Sequence, residues 1–252
     1  MKLSQKQAIL THLRALSPAR IGLGQSGSSL PTEASLDFAW AHAAARDAVF
    51  IPLDTQAIAD KLQGVFPTQL IVHSQAADRE TYLKRPDLGR LLEEASANAL
   101  ETWKGNPAYN LSIVLCDGLS PQAVQEHAQP FLAELLPLLE PSKLNYAPLC
   151  LATQGRVALG DAIATALSSE LVLVLIGERP GLSTPHSMGA YLTYAPYLGI
   201  TDNHRNCLSN IHETGLTYRA AAKSCAYLIQ QARQLKLTGV DLKNNSAQAT
   251  LT

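Results

Sequence analysis

LVLVLIGERPG (Leu171–Gly181) is the stretch that indicates the fold class of this 252-residue chain. The six aliphatic residues at its start are typical of a β-strand buried on both faces, as the strands of parallel sheets are. Gly177 ends this run, and the charged residues Glu178 and Arg179 follow at once. Because open α/β sheets bind ligands at the carboxyl ends of their strands, we expect these two residues to lie beside a cofactor.

Two other predicted strands also end in short polar turns. Leu111–Cys116 is an apolar run that precedes a helix beginning at Pro121, and Pro148–Thr153 leads through the turn Gln154–Val157 to a helix beginning at Asp161. Alternating strands and helices favour a parallel sheet with crossover helices, in which the carboxyl ends of the strands share one edge. The sequence therefore predicts an α/β fold, with a mostly parallel sheet, flanking helices and polar turns along one edge.

The other elements follow from hydrophobic periodicity and from proline, glycine and capping residues. Ser4 and Gln7 form a predicted capping box in the first helix. The remaining predictions are a helix over Thr32–Arg46, a short strand over Ala48–Leu53, a helix over Asp54–Gln63, a strand over Gln69–His73, a loop over Arg79–Arg85, a helix from Pro86, a strand over Ala190–Tyr194, a long loop over Ala195–Asn210 and a helix over Tyr218–Leu235. We expect an N-terminal helical extension over residues 1–47, an α/β domain over 48–237 and a frayed tail over 238–252.

The amino-acid composition indicates which classes of macromolecule the chain could bind. Charged residues make up 16% of the chain and hydrophobic residues 46%, whereas ordinary soluble proteins are about 25% charged. This shortage of charge favours burial of part of the surface against a partner subunit, although a compact, alanine-rich domain would explain it equally well. The net charge of -1 and the lack of a basic run argue against a nucleic acid or an anionic membrane as partner.

The four cysteines, Cys116, Cys150, Cys207 and Cys225, form no C-x-x-C pair, so the sequence signals neither a zinc knuckle nor a redox motif. Together with the lack of a signal peptide, they indicate reduced thiols in a cytosol. No run approaches the roughly 20 apolar residues of a membrane-spanning helix. We therefore expect a soluble, cytoplasmic protein.

A glycine-rich segment precedes the second helix. Gly22, Gly24 and Gly27 fit the pattern G-x-G-x-x-G, which in dinucleotide-binding folds lies between a strand and a helix. Here no apolar strand comes before the glycines, and Pro31 starts the next helix too late. A stand-alone NAD-dependent oxidoreductase is therefore the alternative function, and a connector or partner-contacting loop is the simpler interpretation.

The acidic residues at the strand ends admit two interpretations. Asp117 and Glu178 would form an acid–base pair if their turns are neighbours at the sheet edge. Alternatively, Asp117 caps its own turn, and Glu178 pairs with Arg179 or with a backbone amide. Neither the G-x-S-x-G motif of a nucleophile elbow nor a P-loop occurs in the sequence.

A histidine-containing segment towards the carboxyl terminus raises two metal hypotheses. His204, Cys207 and His212 have spacings that zinc sites use, although no clear fourth ligand accompanies them. Asn210–Gly215 also imitates D-x-H-x-x-G, the cobalamin motif in which a histidine binds cobalt, but with asparagine in place of the aspartate. Without that carboxylate to orient it, His212 is expected to be structural or to lie at an interface.

Seven segments, spread over nearly the whole chain, carry a family resemblance. They are ARIGLGQSGSSLPT (Ala19–Thr32), YLKRPDLGR (Tyr82–Arg90), DGLS (Asp117–Ser120), GRV (Gly155–Val157), LIGERPGLS (Leu175–Ser183), YLTYAP (Tyr191–Pro196) and NCLSNIH (Asn206–His212). The succession of GERPGL, Y-x-x-Y-x-P and C-x-S-N-I-H is the most specific part. In these segments and in their order, the chain resembles the small (light) subunit of ethanolamine ammonia-lyase.

This resemblance implies an adenosylcobalamin-dependent lyase that converts ethanolamine to acetaldehyde and ammonia. In that family the large subunit is a TIM barrel that carries the radical chemistry, and the small subunit is similar to a Rossmann-type domain that covers the nucleotide-tail side of the cofactor. Residues 48–237 would then be a Rossmann-like cobalamin-binding domain, with the cofactor keeping its dimethylbenzimidazole base on cobalt. The expected assembly has six large and six small subunits, in the cytoplasm or inside a bacterial microcompartment.

Carried over motif by motif, the resemblance places cobalamin contacts at Val157 in GRV, Glu178 in GERPG and Cys207 in NCLSN. It implies apolar or backbone contacts from Val157, a hydrogen-bond acceptor at Glu178 and a small packing residue at Cys207. No catalytic or metal-ligating residue is implied in this chain. Gln25 and Ser26 stand where relatives often carry Arg-Ala, which argues against an anion contact or an inter-subunit salt bridge there. Some relatives also have a longer N-terminal extension linked to microcompartment targeting, and its absence here weakens the expectation of encapsulation.

Overall fold

The computed structural model describes residues 3–17, 19–105 and 107–246, with side chains from residue 8 onward. The capping box predicted at Ser4 and Gln7 therefore lies outside the described side chains. The described elements are helices α1 (Leu3–Leu16), α2 (Thr32–Phe50), α3 (Thr55–Leu62), α4 (Arg79–Lys84), α5 (Glu94–Glu101), α6 (Pro121–Leu139), α7 (Leu159–Leu167) and α8 (Tyr218–Leu235), and strands β1 (Gln69–His73), β2 (Tyr109–Cys116), β3 (Leu149–Thr153), β4 (Ser169–Gly177), β5 (Met188–Tyr194) and β6 (Arg205–Ile211). Within the described ranges, no helix combines the length and the apolar character that a bilayer span requires.

The six strands of the described chain form one mixed sheet with the order β1-β3-β2-β4-β5-β6. The first four strands in this order run parallel, so Val114 of β2 pairs with Cys150 of β3 on one side and with Val174 of β4 on the other. Strands β5 and β6 continue the sheet in antiparallel orientation. The predicted α/β class is thus confirmed, whereas the mixed sheet does not confirm the Rossmann-like description.

Helices cover both faces of the parallel part of the sheet and create two hydrophobic cores. Helices α6 and α8 pack together on one face, and α5 and α7 on the other. Strand β4 contributes to both cores, the first through Leu171, Leu173 and Leu175 and the second through Val172, Val174 and Ile176. Because successive side chains of a strand point to opposite faces, a strand between two cores requires the uninterrupted aliphatic run that the sequence shows.

Helix α2 is longer than the sequence indicated. It continues to Phe50, so the short strand predicted over Ala48–Leu53 is wrong. The alanine-rich helix ends where Pro52 follows, because the residue before a proline is disfavoured in the helical conformation, and Ile51 is indeed extended.

Two predictions between β1 and β2 are also wrong. The segment predicted as a loop over Arg79–Arg85 contains helix α4, which begins where the Asp78 carboxylate accepts a hydrogen bond from the Thr81 amide at 2.7 Å. The helix predicted to open at Pro86 begins instead at Glu94, after a single 3-10 turn. A polar capping residue, and not an apolar stripe, therefore defines α4.

The carboxyl-terminal part of the chain is more ordered than predicted. The long loop predicted over Ala195–Asn210 is wrong in its second half, because β6 begins at Arg205 and pairs with β5. The tail predicted to fray from Thr238 packs on the domain at its start: Thr238 is buried, and the Gly239 amide donates a hydrogen bond to the Asn206 side chain at 2.8 Å. The end of the tail lies outside the described residues. The division into an extension, a domain and a tail stays a prediction.

Candidate functional site

The carboxyl ends of β1 to β4 meet at one edge of the sheet, as the sequence predicted. The helices that follow β2 and β3 lie on opposite faces, so the crevice between these two strands is the topological switch point where open α/β sheets bind ligands. Asp117, the residue after β2, fills this crevice itself. Its Oδ2 accepts a hydrogen bond from the Gln154 amide at 2.7 Å, and its Oδ1 accepts one from the Gly155 amide at 3.0 Å.

The Asp117 carboxylate therefore joins two strand ends. It is only 2% exposed, and its Oδ2 lies 3.5 Å from Nη1 of Arg79. Burial raises the pKa of Asp117, while the Gly155 amide and the Arg79 charge act in the opposite direction. In the described part of the chain no hydrogen bond or ion pair links Asp117 to Glu178.

Tyr82 packs against the turn after β3 and forms a hydrogen bond with its backbone. Its side chain is completely buried, and its hydroxyl donates a hydrogen bond to the Gly155 carbonyl at 3.2 Å. The guanidinium carbons of Arg79 and Arg156 lie 4.7 and 4.2 Å from the centre of its ring, within the range of cation–π contacts. Arg156 is thereby directed towards Tyr82, which leaves the half-buried Val157 as the apolar side chain of the GRV turn.

Glu178 directly follows β4 and uses one carboxylate oxygen within the protein. Its Oε2 accepts hydrogen bonds from the Ser187 hydroxyl at 2.7 Å and from the Asn210 amide at 3.1 Å. Its Oε1 accepts none from the described residues, and among those residues the exposed Arg179 forms no ion pair. Of the partners expected for Glu178, the structure thus supplies a backbone amide and not Arg179.

Tyr191 connects Glu178 to Cys207. Tyr191 of β5 pairs with Cys207 of β6, which places their side chains next to each other on one face of the sheet. A Cβ on Gly189 would lie 3.1 Å from both Glu178 Oε1 and the Tyr191 ring, so this carboxylate oxygen and this ring adjoin the same point of the strand. Tyr191 and Val157 both pack against the second core. We call Val157, Glu178, Tyr191 and Cys207 the edge surface.

His212, which the sequence predicted to be structural or to lie at an interface, forms hydrogen bonds within the protein. Its Nε2 and Nδ1 lie 3.0 and 3.3 Å from the Asn210 side-chain oxygen and the Thr214 hydroxyl, so both ring nitrogens are engaged. Burial and the neighbouring His127 lower the pKa of His212, which favours the neutral ring. Asn210 itself has a φ of 62°, in the left-handed region that asparagine tolerates, and donates its amide to Glu178. His212 therefore helps to hold the residue that orients Glu178.

Two other site hypotheses are wrong. His204 and His212 flank opposite ends of β6, and among the described residues no group of three His, Cys, Asp or Glu side chains could hold a metal ion. The glycine-rich segment joins α1 to α2 and not a strand to a helix. Gly22, Gly24 and Gly27 therefore do not form a dinucleotide-binding turn.

Three residues that build this site were not predicted to do so: Ser187, Tyr191 and Asn210. Tyr191 has a signal in the sequence, because it belongs to the YLTYAP segment of the family resemblance. Asn210 likewise belongs to the NCLSNIH segment, but no local pattern indicates the hydrogen bond that it or Ser187 forms, since the Glu178 carboxylate lies 32 or 9 residues away along the chain.

Comparison with known proteins places all of these residues inside one family match. The family described as Ethanolamine ammonia-lyase light chain (EutC) matches residues 7–243. The chain belongs to this light-chain family. Its match includes the edge surface, the YLKRPDLGR segment behind it and most of the N-terminal helices.

Individual members of the light-chain family are similar over almost their whole length. The ethanolamine ammonia-lyase small subunit of Pseudomonas fluorescens (strain Pf0-1) is 48% identical over 241 residues, which are 95% of this chain and 88% of the relative. Those of Pseudomonas aeruginosa (strain LESB58) and Azotobacter vinelandii (strain DJ) are 48% and 47% identical, over 93% and 95% of this chain and 86% and 89% of the relatives. The resemblance inferred from the seven segments is confirmed.

Proposed function

We propose that this chain is the cofactor-holding small subunit of an adenosylcobalamin-dependent ethanolamine ammonia-lyase. The observation that carries the proposal is the state of Glu178, whose Oε2 is fixed by Ser187 and Asn210 while its Oε1 has no hydrogen-bond donor among the described residues. An ordered carboxylate with one oxygen available is suited to accept hydrogen bonds from a ligand. This oxygen adjoins Tyr191, which in turn pairs with the exposed Cys207 on the neighbouring strand.

The chemistry of the edge surface fits a corrinoid. A corrin ring carries carboxamide side chains that donate N–H groups, and the ribose of its nucleotide tail carries hydroxyls; Glu178 would accept hydrogen bonds from either. Val157 and Tyr191 offer apolar area to the ring system. Cys207 offers a small, polarizable side chain, whose sulfur lies 3.2 Å from the Ser209 hydroxyl. These residues would bind and orient the cofactor.

The residues of this chain support a binding role and not a catalytic one. Bound adenosylcobalamin supplies the radical chemistry, which this proposal assigns to the large subunit. His212 has both ring nitrogens engaged, which supports a cobalamin that keeps its own dimethylbenzimidazole on cobalt. Asp117 is 2% exposed and both of its oxygens accept hydrogen bonds from backbone amides, so it is not placed to transfer a proton to a substrate.

The N-terminal helices α1 and α2, which we call the arm, provide a surface for the large subunit. Of the described side chains of α2, only that of Ala48 is buried. The arm exposes large apolar side chains, with exposed fractions of 70% for Leu16, 65% for Leu36 and 78% for Trp40. Clusters of exposed apolar residues mark interaction sites in soluble proteins, and aromatic residues are enriched in such interfaces.

The arm reaches the sheet edge at which the cofactor is proposed to bind. Phe50 and Ile51, at its end, line a cavity of about 460 Å³ together with His73, Asp117 and Gln154 of the strand ends. A partner on the arm would therefore extend over the edge where the cofactor must be enclosed. Because the relatives are named small subunits, we assign this surface to a large subunit. An assembly of six subunits of each kind, in the cytoplasm or a microcompartment, completes the proposal.

Replacing Leu36 and Trp40 together by serine is expected to weaken binding to the large subunit at least about tenfold, because buried interface anchors often contribute about 2 kcal/mol or more. The two residues are four positions apart and lie on one face of α2. Leu198→Ser is the control, since Leu198 is 68% exposed but follows the end of β5 at the opposite sheet edge. Unchanged affinity of the double variant, measured by biolayer interferometry, would contradict the assignment of the arm.

The proposed function is tested by assembling the chain with a large subunit of the same enzyme class and adding adenosylcobalamin and ethanolamine. We expect acetaldehyde to form with the complex and with neither subunit alone. Turnover by this chain alone would contradict its role as a small subunit. A stable complex that binds no cobalamin would contradict its role as a cofactor-holding subunit.

A further inference from the structure

The turn DGLS (Asp117–Ser120), which we call the hub, lies between the two strand ends that carry Val157 and Glu178. On the β3 side, the Asp117 carboxylate accepts the hydrogen bonds from the Gln154 and Gly155 amides, at 2.7 and 3.0 Å. Gly155 is two residues before Val157. Hydrogen bonds to a charged acceptor are stronger than neutral ones, and burial strengthens them further. The position of the β3 turn therefore depends on the hub.

On the β4 side, the hub is in direct backbone contact with the residue before Glu178. The Leu119 amide donates a hydrogen bond to the Gly177 carbonyl at 2.9 Å. Gly118 has a φ of 57°, and a Cβ on it would lie 2.2 Å from the Gly177 carbonyl oxygen. A Cβ on Gly177 would in turn lie 2.0 Å from the Ser120 carbonyl oxygen. The two turns approach so closely that both positions require glycine.

We propose that the hub sets the separation between Val157 and Glu178 and thereby positions the edge surface without contacting the cofactor. One rigid turn holds both strand ends, so a displacement of the hub moves both together. The Ser120 hydroxyl adds a third connection, to the Pro185 carbonyl at 3.2 Å, two residues before the Ser187 that orients Glu178. This inference rests on the cofactor role proposed for the edge surface.

The hub is tested with the variants Asp117→Asn and Gly118→Ala, each assembled with the large subunit. Leu111→Ala is the matched control, because Leu111 is fully buried in the same strand, β2, but at its amino end. We expect hydrogen–deuterium exchange in both hub variants to rise at residues 154–157 and 178–189, relative to Leu111→Ala. The apparent KM for adenosylcobalamin should rise about tenfold to hundredfold, with kcat at saturating cofactor unchanged. Leu111→Ala should lower the melting temperature without raising KM.

Two results would overturn the role of the hub: exchange in both turns that matches Leu111→Ala, or faster exchange with an unchanged KM. Failure of the proposed function can be distinguished from failure of the hub proposal. If the edge surface does not bind the cofactor, Glu178→Ala also leaves the KM for adenosylcobalamin unchanged. The exchange data still show in that case whether the hub holds the two turns. If Asp117→Asn or Gly118→Ala fails to assemble, Ser120→Ala removes only the hydroxyl bond to Pro185. That variant should raise both exchange at 178–189 and KM, and no change in either would contradict the proposal.

Discussion

Replacing Arg205 by alanine is expected to lower the free energy of unfolding by about 3–5 kcal/mol, because it leaves the buried Asp161 carboxylate without its cation. Nη1 of Arg205 lies 2.6 Å from Oδ1 of Asp161, and the two side chains are only 2% and 3% exposed. The same guanidinium donates hydrogen bonds to the Thr193 hydroxyl and the Ile200 carbonyl, at 3.1 and 3.0 Å. For a protein of this size, the loss corresponds to a fall of roughly 6–20 °C in melting temperature.

A surface ion pair of the same chain provides the control. Nε of Arg233 lies 3.2 Å from Oε2 of Glu170, but these side chains are 31% and 28% exposed. Solvent screening limits such a pair to about 1 kcal/mol, so Arg233→Ala should change the melting temperature little. Differential scanning calorimetry compares the variants, and equal losses for Arg205→Ala and Arg233→Ala would contradict the prediction. The combined variant Arg205→Met/Asp161→Leu should recover most of the loss, because no buried charge then lacks a partner.

The buried pair also matters for the candidate site. Arg205 begins β6, the strand of Cys207, and Asp161 lies in the first turn of α7, just after Val157. The ion pair thus joins the two ends of the edge surface that the hub does not connect. We infer that two buried charged groups stabilise the edge surface. The Asp117 carboxylate connects β2 to the turn after β3, and the Asp161–Arg205 ion pair connects α7 to β6.

The elements that the sequence predicts best are those whose signal is local. Strand β1 (Gln69–His73) and helix α8 (Tyr218–Leu235) have the predicted bounds, because each is an apolar run or stripe between polar segments. The common edge of the turns after β2, β3 and β4 also follows from sequence. When parallel strands are joined by crossover helices, all of their carboxyl ends lie at the same edge of the sheet.

Elements defined by distant partners could not be predicted. Strand β6 buries only Arg205 and Ile211 of its seven residues, so it lacks an apolar pattern and exists through its pairing with β5. The orientation of Glu178 depends on Asn210, 32 residues later, for which no local pattern exists. The position of Glu178 after a buried strand indicated a ligand nearby, but physical patterns left its own role as acid–base or structural, and only the family resemblance identified the ligand as cobalamin.

In the complex with the large subunit, Glu178→Ala is expected to raise the apparent KM for adenosylcobalamin about tenfold to hundredfold, because a hydrogen bond to a charged group contributes about 1.5–3 kcal/mol. Saturating cofactor should restore kcat, since the reacting groups are assigned to the large subunit. Glu178→Gln should have a smaller effect, because its single oxygen can serve the cofactor or the donors at Ser187 and Asn210 but not both. For both variants, the rate of acetaldehyde formation at increasing adenosylcobalamin concentration gives KM and kcat. The absorbance change of hydroxocobalamin on binding measures cofactor affinity independently of turnover.

Arg179→Ala is the matched control, because Arg179 is the next residue of the turn, is exposed and has no ion-pair partner in the described part of the chain. Its KM should stay that of the unmodified chain. If Glu178→Ala behaves like Arg179→Ala, Oε1 does not meet the cofactor, and the carboxylate serves only to tie β4 to β6 through Asn210. In that case the melting temperature should fall in Glu178→Ala while KM does not change. A higher KM in both Glu178→Ala and Glu178→Gln, with Arg179→Ala unaffected and the melting temperature of Glu178→Gln maintained, identifies the outward oxygen as the contact, since a glutamine that holds the inward bonds has no second oxygen to offer the cofactor.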